Sequence, residues 1–397
     1  MSLKHKVLIL CAVVALVIAL PWIFSGAAAV LTLNQMGIAV ILAISYNLLL
    51  GTAGLLSLGH AAYFGFGGFF AVHVIRFASV SDSWLTAPVI PLFGGLMGLA
   101  GALVIGSFTS RRGGLIFAML SFAMAELVLA SSSVFGRFYG GSIDRTELPT
   151  IAGINFQSDM DIFYVVWGWV ALVIALAAWF TASPLGRMAT AAGQNPDRVE
   201  YLGYSRRKLR YFTFCLSGFT AGIAGALFAL AYEFVTVEII SLQQSWLILQ
   251  MVFIGGIGFF WGPPIGAILL TMLNSGLSGL TDLWNLYMGI VFIAIVMLSP
   301  KGLTGFVFYV FSQLKADPSP RLRMAYAVCL LGVLLLFGGG IGLAEMAYFL
   351  RSPISSGGTL LLFGLDVSPT HFMPWIVFSL MLLAGLWMIR LAGKRLV

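Results

Sequence analysis

Long, unbroken apolar stretches recur from one end of this chain to the other, and nothing else in it limits the fold so tightly. An α-helix needs about 20 predominantly apolar residues to cross a bilayer, because hydrocarbon offers the backbone no hydrogen-bond partner. Charged residues are 9% of the 397 and hydrophobic residues 60%, whereas a soluble domain carries about 25% charge. A water-soluble fold of this size could not cover its surface with so few charges. That excludes a soluble enzyme, a disordered chain and a nucleic-acid-binding domain. The stretches are continuous, without the alternation over about ten residues that marks an outer-membrane barrel. The expected fold is all-α, a polytopic helical membrane protein. The formal charge of +7 then reads as basic cytoplasmic loops, not as a nucleic-acid surface.

The apolar runs fall at residues 7–24, 31–50, 55–75, 87–108, 115–135, 162–180, 211–232, 245–260, 265–280, 283–298, 325–350 and 372–389. They predict about ten to twelve transmembrane helices. The first run follows Lys4, His5 and Lys6 in the manner of a secretory signal. Its apolar part is long, however, and the rest of the chain is equally hydrophobic, so an uncleaved first span is expected. Cys11, Cys215 and Cys329 all lie in apolar runs and read as small buried hydrophobes, not disulfides or metal ligands.

Twelve crossings with the N-terminus inside put 17 of the 21 lysines and arginines in inner loops. Only Arg76, Arg137, Arg145 and Arg351 fall outside. Such a bias sets orientation, and it predicts an N-in and C-in protein.

Two segments depart from plain spanning helices. GTAGLLSLGHAAYFGFGGFF (51–70) holds six glycines in about one span, and each costs roughly 1 kcal/mol relative to alanine in a helix interior. GGIGFFWGPPIG (255–266) contains Pro263 and Pro264, which cannot continue a helix, so the chain breaks or restarts there. Paired breaks in the two halves of a membrane protein accompany inverted repeats and a midplane pathway. Close helix packing of the GxxxG kind, as at Gly94/Gly98 and Gly262/Gly266, is the alternative.

Polar residues inside apolar runs are costly and need a reason. Glu126 sits in the middle of AMLSFAMAELVLASSSV, and His60 lies near Ser57 in the first broken segment. Asn47 and Gln250 are weaker candidates of the same kind. A structural role is the favoured reading for Glu126 and His60, and a translocation pathway the alternative. Glu345, near the end of its run, is expected to reach the interface. There is no HExxH, GxSxG or GxxxxGK[ST] motif, and His5, His60, His73 and His371 are scattered. Neither an enzyme nor a metal centre is readable, no cofactor is expected on this chain, and any ATP would be bound by another chain.

The most informative polar stretch is TASPLGRMATAAGQNPDRVEYLGYSRRKLR (181–210). A helix is expected over 187–192, a break at Asn195-Pro196, and a second short helix over 197–202 ending at Gly203. Two short helices joined at a rigid turn could serve as a mechanical contact for a soluble partner. A basic loop that only holds topology is the plainer alternative.

The order of these segments resembles the permease subunit of branched-chain amino acid ABC transporters, in its LivM-like subfamily. The carriers are NLLLGTAGLLSLGHAAYFGFGGFF from Asn47, RRGGLIFAMLSFAMAE (111–126), SPLGRMATAAGQNPDRVEYLGYSRRKLRYFTFCLSGFTAGIAGAL (183–227), GGIGFFWGPPIGA (255–267) and SPKGLTG (299–305). The resemblance covers about residues 30 to 305. It implies that residues 182–210 form a coupling loop docking on an ATPase subunit, with Ala191, Ala192, Gly193, Glu200, Leu202 and Gly203 at the contact. It further implies two ABC ATPase subunits, a sister permease, an extracytoplasmic solute-binding protein and an amino-acid substrate, at the bacterial inner membrane. Relatives that handle urea, short amides or aromatic acids leave the substrate open. A secondary transporter working alone is the competing class, in which Glu126 and His60 would carry protons or substrate.

The chain departs from that pattern at its C-terminal end. The expected organisation is a transmembrane core over 1–310, a cytoplasmic linker over 311–323 with Pro318 and Pro320, and an additional two-helix membrane extension over 324–397. The loop GGSIDRTELP (140–149) also differs from the family's usual wording.

Overall fold

A computed structural model describes residues 19–24, 26–80, 85–145, 148, 156–279, 281–299, 301–316, 320–351, 360–362, 365–369 and 371–396. The first apolar run and Cys11 lie largely or wholly outside them. The chain divides into two compact units, Met1–Phe306 and Val307–Val397.

In the first unit, α1 (Ala27–Asn47) runs directly into a π-helical turn (Leu48–Thr52). There follow α2 (Ala61–Val80), α3 (Ile90–Thr109), α4 (Leu115–Ser131), α5 (Asp159–Ala182), α6 (Pro184–Gln194), α7 (Pro196–Tyr201) and α8 (Arg206–Tyr232). Beyond a 3-10 turn (Val237–Ile240) come α9 (Leu242–Gly255), α10 (Gly262–Ser278) and α11 (Trp284–Leu298). α12 (Gly302–Ala316) crosses the border between the units. Among the described residues, seven helices are long and apolar enough to cross a membrane: α1 with its π turn, α2, α3, α5, α8 and, in the second unit, α13 and α14. The runs at 115–135, 245–260, 265–280 and 283–298 give shorter helices of 17, 14, 17 and 15 residues. This is an all-α, multi-pass membrane protein.

The core lies where α8 meets α1, α2 and α3. In α8, 83% of the most apolar stretch is buried, against 39% in α5. Glycine makes the close crossing possible. A Cβ on Gly98 of α3 would stand 2.8 Å from the Gly222 Cα of α8, and one on Gly222 would stand 3.0 Å from the Gly98 Cα. Without a hydrophobic force between helices in lipid, such backbone contact supplies the packing attraction.

Both irregular segments are real breaks. The first helix leaves α geometry at the π turn, and regular helix resumes only at Ala61. The second stops at Gly255 and restarts at Gly262, with Pro263 and Pro264 in the first turn of α10, where a missing N–H is harmless. Close packing accompanies the breaks instead of replacing them: a Cβ on Gly255 would stand 3.0 Å from the Pro263 Cα.

At the end of α8 opposite the α6–α7 elbow, strand β1 (Gly141–Ser142) pairs antiparallel with β2 (Phe234–Val235). Arg145 fastens this corner. Its Nη2 donates to Asp159 Oδ1 at 2.8 Å and its Nε to Glu233 Oε1. Glu233 caps α8 in the left-handed region (φ 57°).

In the second unit, α13 (Pro320–Arg351) and α14 (Phe372–Leu396) form an antiparallel pair, with a hairpin of β3 (Leu360–Leu362) and β4 (Leu365–Val367) between them. A Cβ on Gly385 would come within 2.6 Å of the Gly332 carbonyl oxygen, and one on Gly339 within 2.7 Å of Leu382 N. Glu345, expected at the interface, is buried here at 9% exposure. The expected linker over 311–323 is helical through Ala316 and again from Pro320, so most of it continues helices. Cys215 is buried and Cys329 half-buried, both as free thiols.

Candidate functional site

Most of the residues singled out in the sequence form two groups, one in the core and one in the loop between α5 and α8.

In the core, Ser45 on α1 and Ser217 on α8 are joined reciprocally. Ser45 Oγ donates to the Ser217 carbonyl at 2.7 Å, and Ser217 Oγ donates to the Ser45 carbonyl at 2.7 Å. His60 Nε2 lies 2.8 Å from Ser45 Oγ. The single Ser45 proton is spent on the Ser217 carbonyl, so His60 Nε2 is the donor in that bond. His60 Nδ1 is therefore the bare acceptor of the ring, and it is buried with no partner among the described residues. The ring is fully buried, edge-on to Tyr46 and Tyr63 at centroid distances of 5.1 and 6.0 Å. Ser57, also fully buried, accepts at its carbonyl from Tyr46 Oη at 2.9 Å, while its own Oγ is unpartnered. Asn47 folds its amide over Gly51 in the π turn, leaving a buried, unpaired Oδ1. Three unsatisfied polar atoms thus cluster around one helix break, a feature that buried polar groups rarely show without a functional reason.

The other two candidates lie elsewhere. Gln250 is buried on α9 at 5% exposure and no hydrogen bond links it to the cluster. Glu126 is half-buried on α4, with no hydrogen bond or ion pair to any described residue. Its helix reaches the break through Ser121 instead, whose Oγ accepts from Leu58 N at 3.1 Å. Sequence reasoning passed over Ser45 and Ser217. Their signal was a lone serine in the middle of each apolar run.

In the loop, the two short helices form as the sequence predicts. Ser183 caps α6, its Oγ accepting from Gly186 N at 3.1 Å. Asn195 ends α6 in extended backbone and caps α7, its Oδ1 accepting from Arg198 N at 3.2 Å. Gly203 follows at φ 83°. Arg206 grips Glu200 with two bonds of 2.5 and 2.6 Å and reaches Asp197 Oδ1 at 3.1 Å. This holds the Glu200 carboxyl below its usual range and pins α7 to the start of α8.

The elbow has a small core of its own, made by Ala192, Val199 and Leu209 with Met188 and Ala191 against them. Ala192 is 4% exposed, and its side chain packs in this core. The outward surface is made instead by Leu185, Tyr201, Leu202, Gly203 and Tyr204, with Tyr201 at 91% exposure. Tyr201 was not singled out in the sequence. Gly193 faces the other way, into the break. A Cβ on it would stand 2.7 Å from the Thr52 carbonyl oxygen and 3.1 Å from Gly54 N.

Among the described residues, no three His, Cys, Asp or Glu side chains stand together to hold a metal ion. The chain is thus a multi-pass helical bundle, broken beside a buried polar cluster and braced there by an external helical elbow. The chain belongs to the family described as branched-chain amino acid transport system / permease component, whose model matches residues 28–297. It is 27% identical over 338 residues to the LivM permease protein of the high-affinity branched-chain amino acid transport system of Escherichia coli K12, covering 76% of this chain and 75% of that one. The Salmonella typhimurium LivM protein is 26% identical over the same shares. A probable LivH permease of Methanocaldococcus jannaschii is 22% identical over 282 residues, 67% of this chain and 88% of its own. No solved structure matches. The chain is an ABC transporter permease subunit.

Proposed function

We propose that this subunit forms half of the translocation pathway of an importer for branched-chain and other hydrophobic amino acids in a bacterial inner membrane. It pairs with a sister permease, two ABC ATPases that carry the ATP, and an extracytoplasmic solute-binding protein. Both termini lie in the cytoplasm, and the loop over 182–210 is the coupling element.

One observation carries this reading: the elbow backs onto the break. Gly193 of α6 abuts Thr52 and Gly54, and the chain from Gly54 leads within six residues to Ser57 and His60. A partner pressing on Tyr201, Leu202 and Gly203 moves a unit braced by the Glu200–Arg206 pair. Its displacement arrives at an irregular turn, where the backbone can yield, and not at a regular helix, where it cannot. Unsatisfied polar atoms around that turn give a passing solute hydrogen-bond partners in a low-dielectric setting. The relatives' role in branched-chain amino acid transport supports the amino-acid class of substrate.

The test is reconstitution of the chain with its sister permease and ATPases in vesicles, with labelled leucine and the binding protein outside. ATP-dependent leucine uptake that isoleucine and valine compete away is expected. Uptake of urea or a short amide under the same conditions, with none of leucine, reassigns the substrate. Uptake without any ATPase present overturns the coupling role.

A further inference from the structure

At its Asp159 end, α5 carries an open groove of about 490 Å3 that the transport reading leaves unused. Asp161, Tyr164, Val165, Gly168, Trp169 and Leu172 line it. Asp161, Val165, Gly168 and Leu172 follow at four-, three- and four-residue steps as one stripe along the helix, with Tyr164 and Trp169 flanking it. From Asp161 to Leu172 the stripe rises about 17 Å, close to half of the ~30 Å hydrocarbon core, the depth of one leaflet. Polarity changes along it. A carboxylate stands at the helix end with the Tyr164 ring a turn below it, Val165 and Gly168 follow, and Trp169 and Leu172 lie deepest. The floor is open at Gly168, where a Cβ would meet nothing within 4 Å. The rings are held in place: Trp169 Nε1 donates to the Pro88 carbonyl at 3.0 Å, and Tyr164 Oη accepts from Trp22 Nε1 at 3.3 Å.

We propose that this groove binds an aminophospholipid, with its ammonium group against Asp161 and the Tyr164 ring and an acyl chain laid over Gly168 beside Trp169. A carboxylate beside an aromatic face attracts an ammonium group electrostatically. It repels a headgroup whose only charge is a phosphate. Tyrosine belongs at the headgroup level, where one end of the ring is wet and the other apolar. The bare Gly168 surface then gives the chain a track with no side chain to displace.

A photocrosslinker at position 172, in the full chain purified in mild detergent, reads the site directly. The probe is equimolar phosphatidylethanolamine and phosphatidylglycerol with identical acyl chains. Crosslinking should favour phosphatidylethanolamine by roughly threefold. Asp161→Asn, which keeps an oxygen acceptor for the Ser158 backbone N–H that bonds Asp161 Oδ2 at 3.2 Å, should bring the ratio to about one while total lipid capture persists. Gly168→Leu improves helix propensity and points into open space, so the fold tolerates it, yet capture of both lipids should fall. Equal capture of the two lipids by the unmodified groove, unchanged capture in Gly168→Leu, or crosslinks to protein in place of lipid would each overturn the proposal.

Discussion

Gly54 and Gly193 meet backbone to backbone: a Cβ on Gly54 would stand 3.3 Å from the Gly193 Cα. One belongs to the break after α1 and the other to the external elbow. Gly54 is also at φ 64°, a conformation that costs a residue with a side chain roughly 1–2 kcal/mol.

Gly193→Ala should therefore impair coupling more than folding. Its methyl would collide with the Thr52 carbonyl and force the elbow away from the break. Uptake in reconstituted vesicles should fall several-fold while ATP hydrolysis and membrane abundance stay near normal. A variant with full uptake would show that this contact transmits nothing.

The reciprocal Ser45–Ser217 pair should be energetically coupled. Interhelical hydrogen bonds in membranes average about 0.6 kcal/mol and reach about 1.7 kcal/mol. Ser45→Ala and Ser217→Ala should each destabilise by about that much, and the double variant by less than their sum. Ser45→Ala carries the further loss of the His60 Nε2 acceptor, so it should be the worse of the two. Unfolding in mixed micelles measures all three.

The Glu200–Arg206 pair should make the elbow acid-sensitive. The Arg206 hydrogen bonds depress the Glu200 carboxyl below its ordinary 4.5. A depressed carboxylate contributes order that is fully present above that value and is lost as pH falls through the lowered one. Amide exchange in residues 196–203 should be constant from neutral pH down to about 5, once intrinsic rates are corrected for. It should rise at lower pH. Glu200→Gln should show the faster exchange near neutral pH, with no acid step, and the two proteins should converge once Glu200 is protonated.

At the corner joining α5 to the end of α8, Arg145→Lys should fail to substitute for arginine. A lysine is a single point charge and cannot hold Asp159 and Glu233 in the two directions that the guanidinium fork spans. Both carboxylates are about one-third exposed, at 34% and 36%, so solvent screens part of the effect. A loss of about 1–2 kcal/mol is expected for Arg145→Lys and more for Arg145→Ala, which leaves two acids side by side. Thermal unfolding of the purified chain reports both.

Much of the bundle could be read in advance because lipid constrains a spanning chain so severely. Apolar length gave the helices, and Asn195-Pro196 and Gly203 gave the elbow its two short helices and its end. The site was harder to read. His60 and Ser57 stand out as polar residues in an apolar run, but the serines that hold His60 are 172 residues apart and nothing local joins them. Ala192 looks like an exposed small residue in sequence. It is buried because Val199 and Leu209, from two different helices, close over it. The ends of the 311–323 linker are helical, which charge and proline alone do not reveal: Pro320 sits in the first turn of α13, where its missing N–H is harmless.

The partnership of Ser45 with Ser217 also has a consequence in time. The first spanning helix of the described fold finishes its central contact only when a residue 172 positions later has been synthesised and inserted. Until then the Ser45 hydroxyl lacks the Ser217 carbonyl that takes its proton. The central contact of this core can therefore form only after the chain has passed the midpoint of its own synthesis.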